Sequence, residues 1–460
     1  MSVKFNCRFI ARLIVEAETP LLVGSGDASL MTDALVVKDH NGLPMIPGTS
    51  LAGVLRHALE DFDDDPTYWN DIFGFQRKNE KIGLGSRLQI SSAYLLMGDQ
   101  KIVESTGHSI DPVLETKLSN LPSRQHVRIN KNGVADKNGL FDNEVVFKGA
   151  RFIFEVELKG TTKDDTFWDK IINAFNSPLF RIGQGTRNGY GKLSIYKIFN
   201  KSFNLDEKVD FNEYIDFNPS FNSIVKMVTP ASQENNEEII AYKLTLKPDD
   251  FFIFSEGFGD DEADNRPLTE EVMEYINGKI SFVEKTVIPA SSLKGALAHR
   301  VCFHYNKLQK KYVDNKEGTT GNSNDAVYEL FGAEEGAKGR DGLRGNVIID
   351  DLYYDDIDNS KIFNHVAIDR FTGGAMDGAL FSEKVSSKRN GEICFDVFVT
   401  RSDYPQNIIK ALENALIDIC KGLLPLGGMT TKGNGMFTGD LLRDNTKIFS
   451  YTENLEHATN

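Results

Sequence analysis

The ten residues from Ile46, IPGTSLAGVL, return from Ile288 as IPASSLKGAL, and a chain carrying one such phrase in each half is constrained to fold as two similar units. The correspondence continues in order. Each phrase is followed at the same place by a histidine (His57, His299), then Ile72-Phe73-Gly74 answers Leu330-Phe331-Gly332. The strand-like RLQISSAYLL from Arg87 answers NVIIDDLYYD from Asn346, and HVRINKNGVADKNGLF from His126 answers HVAIDRFTGGAMDGALF from His365. Each copy then predicts a strand (151–158; 393–400), a helix (166–176; 406–423), a glycine-rich loop and a last strand. The order predicts an α+β fold: two tandem ferredoxin-like, RRM-like domains with insertions.

The glycine loops are RIGQGTRNGYGKL (181–193) and LPLGGMTTKGNGMF (424–437). The first sets Gly183, Gly185, Gly189 and Gly191 among Arg181, Arg187 and Lys192, with no acid; the second sets Gly427, Gly428, Gly433 and Gly435 around Lys432. Such loops let another backbone approach closely. Neither is a common nucleotide loop, because the spacing is GxGxxxGxG, the order is helix–loop–strand, and no GxxxxGK[ST] occurs. A nucleic-acid backbone is the natural guest of a basic glycine loop. The helix after Pro47-Gly48, capped by Thr49 or Ser50, offers a phosphate seat at its N-terminus.

Bulk properties narrow the class. With 40% hydrophobic and 26% charged residues, the 460-residue chain has the composition of a globular protein of two or three domains. Cys7, Cys302, Cys394 and Cys420 lie far apart with no CxxC, which argues against zinc and a disulfide framework and for a reducing cytoplasm. Arg and Glu interrupt the apolar N-terminus, so no signal peptide or membrane span is expected there. A net charge of −15 argues against non-specific nucleic-acid binding, while leaving room for a guided site within an assembly. The expected domains are 1–199 and 238–450, joined by a polar linker (200–237) that packs in part and followed by a tail (451–460). Residues 311–325 read as a mobile loop.

These ordered motifs resemble the RAMP superfamily (repeat-associated mysterious proteins) of CRISPR systems, and more closely the backbone subunits of type III effector complexes. Both halves are covered, as in two fused backbone subunits, an arrangement similar to subtype III-D complexes. The resemblance implies subunits stacked along a guide RNA, gripping its backbone with the helix start and glycine loop, beside other subunits and a target single-stranded RNA. It implies thumb hairpins, here 123–149 and 363–391, wedged into the guide–target duplex to flip nucleotides. It also implies an aspartate on the loop before the helix that supports metal-dependent cutting, matched here by Asp33 in DALVVKDHNGLPMIPG. Counting equally far back from Ile288 gives Tyr275, so Asp260, Asp261 and Asp264 are second-half candidates only with an insertion.

Strand cleavage by internal attack requires a deprotonated 2′-hydroxyl in line with phosphorus. A free aspartate, with a pKa of about 3.9, is a weak base at neutral pH. Asp33 is therefore expected to hold Mg²⁺ or Mn²⁺, or a water, rather than to take the proton alone. Asp27 and Asp39 read as turn residues, and His57 and His299 as packing or backbone contacts rather than as a histidine ribonuclease. Expected RNA contacts are Ser50, Gly53, Arg56, Arg124, His126, Arg128, Lys131, Gly183, Gly185, Arg187, Gly189 and Gly191 in the first copy. In the second they are Ser292, Lys294, Gly295, Arg300, His365, Arg370, Gly427, Gly428, Lys432 and Gly433. These contacts would read backbone and shape, with sequence left to base pairing. Two other readings stand beside this one: a non-catalytic backbone subunit, and a repeat-RNA-processing RAMP nuclease.

Overall fold

A computed structural model of the protein describes residues 5–29, 32–60, 67–76, 83–98, 101–103, 111–129, 134–223, 225–230, 239–255, 257–311, 324–333, 342–355, 360–387 and 391–452. Most of the expected mobile loop, the residues after 452, and Lys131 lie outside these.

The first half comprises β1 (Cys7–Ala17), α1 (Gly48–Glu60), β2 (Leu88–Ile90), β3 (Ser123–Ile129), β4 (Ala135–Glu144), β5 (Arg151–Gly160), α2 (Asp165–Ala174) and β6 (Leu193–Asn204). β1 lies between β6 and β5, antiparallel to both, and β2 pairs with the far side of β5. The core order β6-β1-β5-β2 is that of a ferredoxin-like sheet. Apolar residues at Leu51, Leu55 and Leu59 give α1 one buried stripe, which joins Phe9, Ala11, Leu13 and Val15 of β1 and Trp168 and Ile171 of α2 in a single core. Truncating the fully buried Leu55 to alanine would cost about 2–5 kcal/mol.

The alternation in β1 predicts a half-buried strand, yet the structure buries both faces. The cover is the segment after β6, which passes through α3 (Lys208–Ile215) and returns across the sheet, placing Phe221 and Met227 over Ile14 and Ile153. Arg12, on this face and 1% exposed, is bonded to Glu155, to the carbonyls of Asn218 and Ser220, and to the Ser223 hydroxyl, with Phe217 and Phe221 against its guanidinium. Residues 200–230 therefore belong to the first half's packing.

The second half repeats the plan with β7 (Ile239–Pro248), α4 (Ala290–Leu308), β10 (Val347–Ile349), β11 (Ser360–His365), β12 (Phe381–Ser387), β13 (Ile393–Thr400), α5 (Gln406–Cys420) and β14 (Phe437–Arg443). Its sheet order, β14-β7-β13-β10, matches the first. The second half also carries a hairpin that the first lacks. This hairpin, β8 (Thr269–Ile276) and β9 (Lys279–Ile288), precedes α4 and lies on the first half. There Met273 N–H donates to the Lys148 carbonyl (2.8 Å), and Tyr275 Oη accepts from Arg151 N–H and donates to the Leu96 carbonyl (3.0 Å each). Met273 is buried in the first half's core. Among the described residues no helix is long and apolar enough to cross a membrane.

Candidate nucleic-acid interface

The two glycine loops begin alike. A Cβ on Gly183 would stand 2.2 Å from the Leu22 carbonyl oxygen, and one on Gly427 2.3 Å from that of Ile253, so each loop clasps the backbone that follows its own half's first strand. The close approach expected of a guest is here made by the chain itself. Gly185, Gly191 and Gly428 likewise stand in or beside these clasps.

The loops then differ. Gly189 (φ +99°) is buried, and a Cβ there would lie 2.2 Å from Asp351 Oδ1 and 2.9 Å from the Ala290 methyl; at Gly433 (φ +98°) nothing lies within 4 Å. The first loop is thus seated on the start of α4 in the second half. Arg187 Nε donates to the Gly345 carbonyl (2.7 Å) and Lys294 Nζ to Asn188 Oδ1 (3.3 Å). Burial, with Arg187 nearby, brings the Lys294 ammonium down to about 8. Asp351 Oδ1 accepts the Ala290 N–H (2.7 Å), so the start of α4 already holds a carboxylate.

Basic side chains are committed at this seam, Arg124 and His126 of the expected RNA contacts among them. Arg124 is 4% exposed and pairs with Glu270 (Nε–Oε1 2.5 Å), Asp351 and the Tyr353 hydroxyl. Burial opposes its charge, and Asp351 and Glu270 hold it charged nonetheless. Arg181 pairs with Asp350, and Lys192 with Asp350 and Glu18. His126 shares a 2.6 Å hydrogen bond with Tyr190, stacks on Phe141, and is lowered to about 4 by burial and by Arg124, so it is neutral at pH 7. Arg124 and His126 therefore lie at an interdomain seam rather than on a phosphate track. The sequence held the signal, for where the first copy has Ser91-Ser92 the second has Asp350-Asp351, an acidic pair matched to the basic first loop.

Other candidates face outward. Helix α1 starts at Gly48, with its N–H on Ser92 Oγ (3.3 Å) and the N–H groups of Ser50 and Leu51 on the Pro47 carbonyl, so Thr49 and Ser50 are first-turn residues rather than caps. Gly53, Ser292 and Gly295 are exposed, as are His57 and His299, which face outward instead of packing. Arg56 is bonded to Glu60, Asn70 and the Gly74 carbonyl, and Arg300 to Asp418. Arg128, Arg370 and Lys432 are exposed.

The thumb regions are the hairpins β3–β4 and β11–β12. His365, the last paired residue before the end loop of the second, bonds Glu383 (2.9 Å). In its end loop Asp369 Oδ1 accepts the N–H groups of Phe371 and Thr372 (2.9 and 2.7 Å), holding Phe371 at 99% exposure, with Ile368, Met376 and Leu380 also exposed.

Asp33 is exposed and is fixed to the first thumb. Its N–H donates to the Asp142 carbonyl and its Oδ2 accepts the Asp142 N–H, both at 3.0 Å. Asp142 Oδ1 is buried without a hydrogen-bond partner. Among the described residues no three His, Cys, Asp or Glu side chains gather as a metal site. This donor set therefore fits a hard cation only in company with phosphate oxygens and water. Asp39 closes a turn on Asn41 and Leu43, and Asp260 one on Glu262 and Ala263; Asp261 is exposed.

Fold and site define a class: tandem ferredoxin-like units docked head to tail, each bearing a clasped glycine loop and a thumb. The family model of the RAMP superfamily matches residues 14–194 and 279–438, and the chain belongs to that superfamily. Among solved structures, one similar chain is described as a type III-B Cmr-beta cryo-EM structure of the apo state, with 14% identity and a TM-score of 0.32, covering 41% of this chain and 96% of that one. No curated protein matches the chain.

Proposed function

We propose that the protein is a guide-RNA-binding backbone subunit of a type III CRISPR ribonucleoprotein and that it cuts target RNA with the help of Asp33. Membership in the RAMP superfamily supports the first part. The observation that carries it is the seam: the first glycine loop sits on the start of α4, while its counterpart at Gly433 is open. A contact between unlike surfaces of like units leaves one of each surface free, so it can be repeated by neighbours along a strand. The outward Gly53, Ser292 and Gly295 give each half a matching face for RNA backbone.

Cutting is an internal displacement. The 2′-oxygen gives up its proton and bonds to phosphorus, the bond from phosphorus to the 5′-oxygen breaks, and that oxygen takes a proton, leaving a 2′,3′-cyclic phosphate and a 5′-hydroxyl. A hard divalent cation bound with Asp33 would supply positive charge for the phosphate. The chain's own part is placement. Two hydrogen bonds fix Asp33 to β4, and an exposed thumb loop tipped by Phe371 suits the wedging of apolar side chains between bases.

The test is Asp33→Ala in the assembled complex with guide and labelled target. Loss of at least one cut with assembly retained is expected. Persistence of every cut would leave a structural subunit without catalysis.

A further inference from the structure

The two halves hold one more correspondence, deeper than the repeated phrase. In the first, residue 34 forms a parallel bridge with residue 143, and Glu144 N–H donates to the Ala34 carbonyl (2.9 Å). In the second, Asn265 bridges Glu383 in parallel, and Lys384 N–H donates to the Asn265 carbonyl (2.8 Å). This register sets Ala34 on Asn265, and so Asp33 on Asp264 and Asp142 on Ser382. The side chains agree: Asp33 Oδ2 accepts the Asp142 N–H at 3.0 Å, and Asp264 Oδ2 accepts the Ser382 N–H at 2.8 Å. Both aspartates are exposed, each against the second strand of a thumb hairpin.

The chain leading into each site agrees as well. Gln184 N–H donates to the Leu22 carbonyl as Gly428 N–H does to that of Ile253, and Gly191 to Pro20 as Gly435 to Phe251. Gly26 and Gly257 then share φ near +88° and +85° in open space. From Pro20 to Asp33 and from Phe251 to Asp264 the spacing is identical, with no gap. The extra residues of the second half fall after Asp264, in the hairpin Thr269–Ile288. That is why counting back from Ile288 reaches Tyr275, which the structure places against the first half's Arg151 and Leu96 instead of at a site.

From this we infer that the second half carries its own cutting site, with Asp264 in the role of Asp33, so that one chain cuts one bound target at two positions. The inference rests on the reading of Asp33 given above. Asp260 falls on Ser29 in this register, and its carboxylate closes a turn on the N–H groups of Glu262 and Ala263. The second site differs at the hairpin strand: Ser382 Oγ donates to Asp264 Oδ2 (2.9 Å) and accepts the Asp264 N–H (3.1 Å), where the first half has the Asp142 carboxylate and the Asp33 N–H goes to the Asp142 carbonyl. Hydrogen bonds from Ser382 hold the Asp264 carboxyl below the usual carboxylate range, so it is ionised at neutral pH.

The experiment uses the assembled complex with guide RNA and end-labelled target, comparing wild type, Asp33→Ala, Asp264→Ala and the double variant. Asp264→Asn is included because its amide oxygen still accepts the Ser382 hydrogen bonds and so spares the loop. Each single variant is expected to lose a different product, by on the order of 100-fold or more, and the double variant both. If both Asp264 variants keep the full product set while Asp33→Ala loses one, the second site is overturned and the reading of Asp33 stands. If Asp33→Ala also keeps every product, that reading falls with it.

Discussion

Gly189 of the first half and Asp351 of the second are in contact across the domain seam, with the glycine's α-carbon where any side chain would strike the carboxylate. Gly433 has nearly the same backbone angle and no neighbour. Gly189→Ala should therefore cost about 2–4 kcal/mol, from a left-handed backbone and from overlap. Gly433→Ala should cost about 1 kcal/mol from backbone alone. Chemical denaturation of the two variants checks this, and equal losses would contradict the seam.

Arg124 is the cation between Glu270 and Asp351. Arg124→Met should strand the buried Asp351 carboxylate and the half-buried Glu270 and destabilise the protein by about 3–5 kcal/mol. The complementary change Arg128→Met, at an exposed position of the same strand, should cost under about 1 kcal/mol. Thermal unfolding of both variants distinguishes a structural arginine from a surface one.

His126 gives the seam a pH signature. Burial and Arg124 hold it neutral down to about 4, whereas the unfolded chain takes up a proton near 6.5. Stability from this residue is complete above about pH 6.5 and is lost as pH falls from there toward 4. Asp351, raised to about 6 by burial, works in the opposite sense, its contribution present at low pH and lost as pH rises through that value. His126→Gln should remove the histidine's share alone. The variant's loss of stability between pH 7 and pH 5 should be smaller than that of the wild type by about 1–2 kcal/mol, measured by denaturant titration at both values.

Phe371 is held out by Asp369 with nothing covering it. Phe371→Ser should leave the melting temperature unchanged and weaken target engagement by about 1–3 kcal/mol, the worth of one base stack. Binding of target RNA to the assembled complex reads this directly. A fall in melting temperature instead would mean that the ring packs against the fold.

Much of the architecture was legible because duplication leaves matched apolar patterns: Leu51, Leu55 and Leu59 announce the helix, and RLQISSAYLL aligned with NVIIDDLYYD announces the strands. What sequence pattern missed was partnership. Arg124 looks like an RNA ligand until its carboxylates, Glu270 and Asp351, are seen across the seam, far away in sequence. The glycine pattern suggests a cradle for a guest, whereas Gly183 and Gly427 clasp the chain's own backbone. Asp264 was obscured by an insertion lying downstream of it; counting forward from Gly257 rather than back from Ile288 finds it.

In the function proposed, both halves grip one RNA strand through equivalent surfaces. Ultraviolet cross-linking of the guide-loaded complex, read by mass spectrometry, decides this. Cross-linked peptides are expected at matching places in the two halves, around Gly53 and Gly295 and along both thumbs. Cross-links confined to one half, or absent from both, would contradict it.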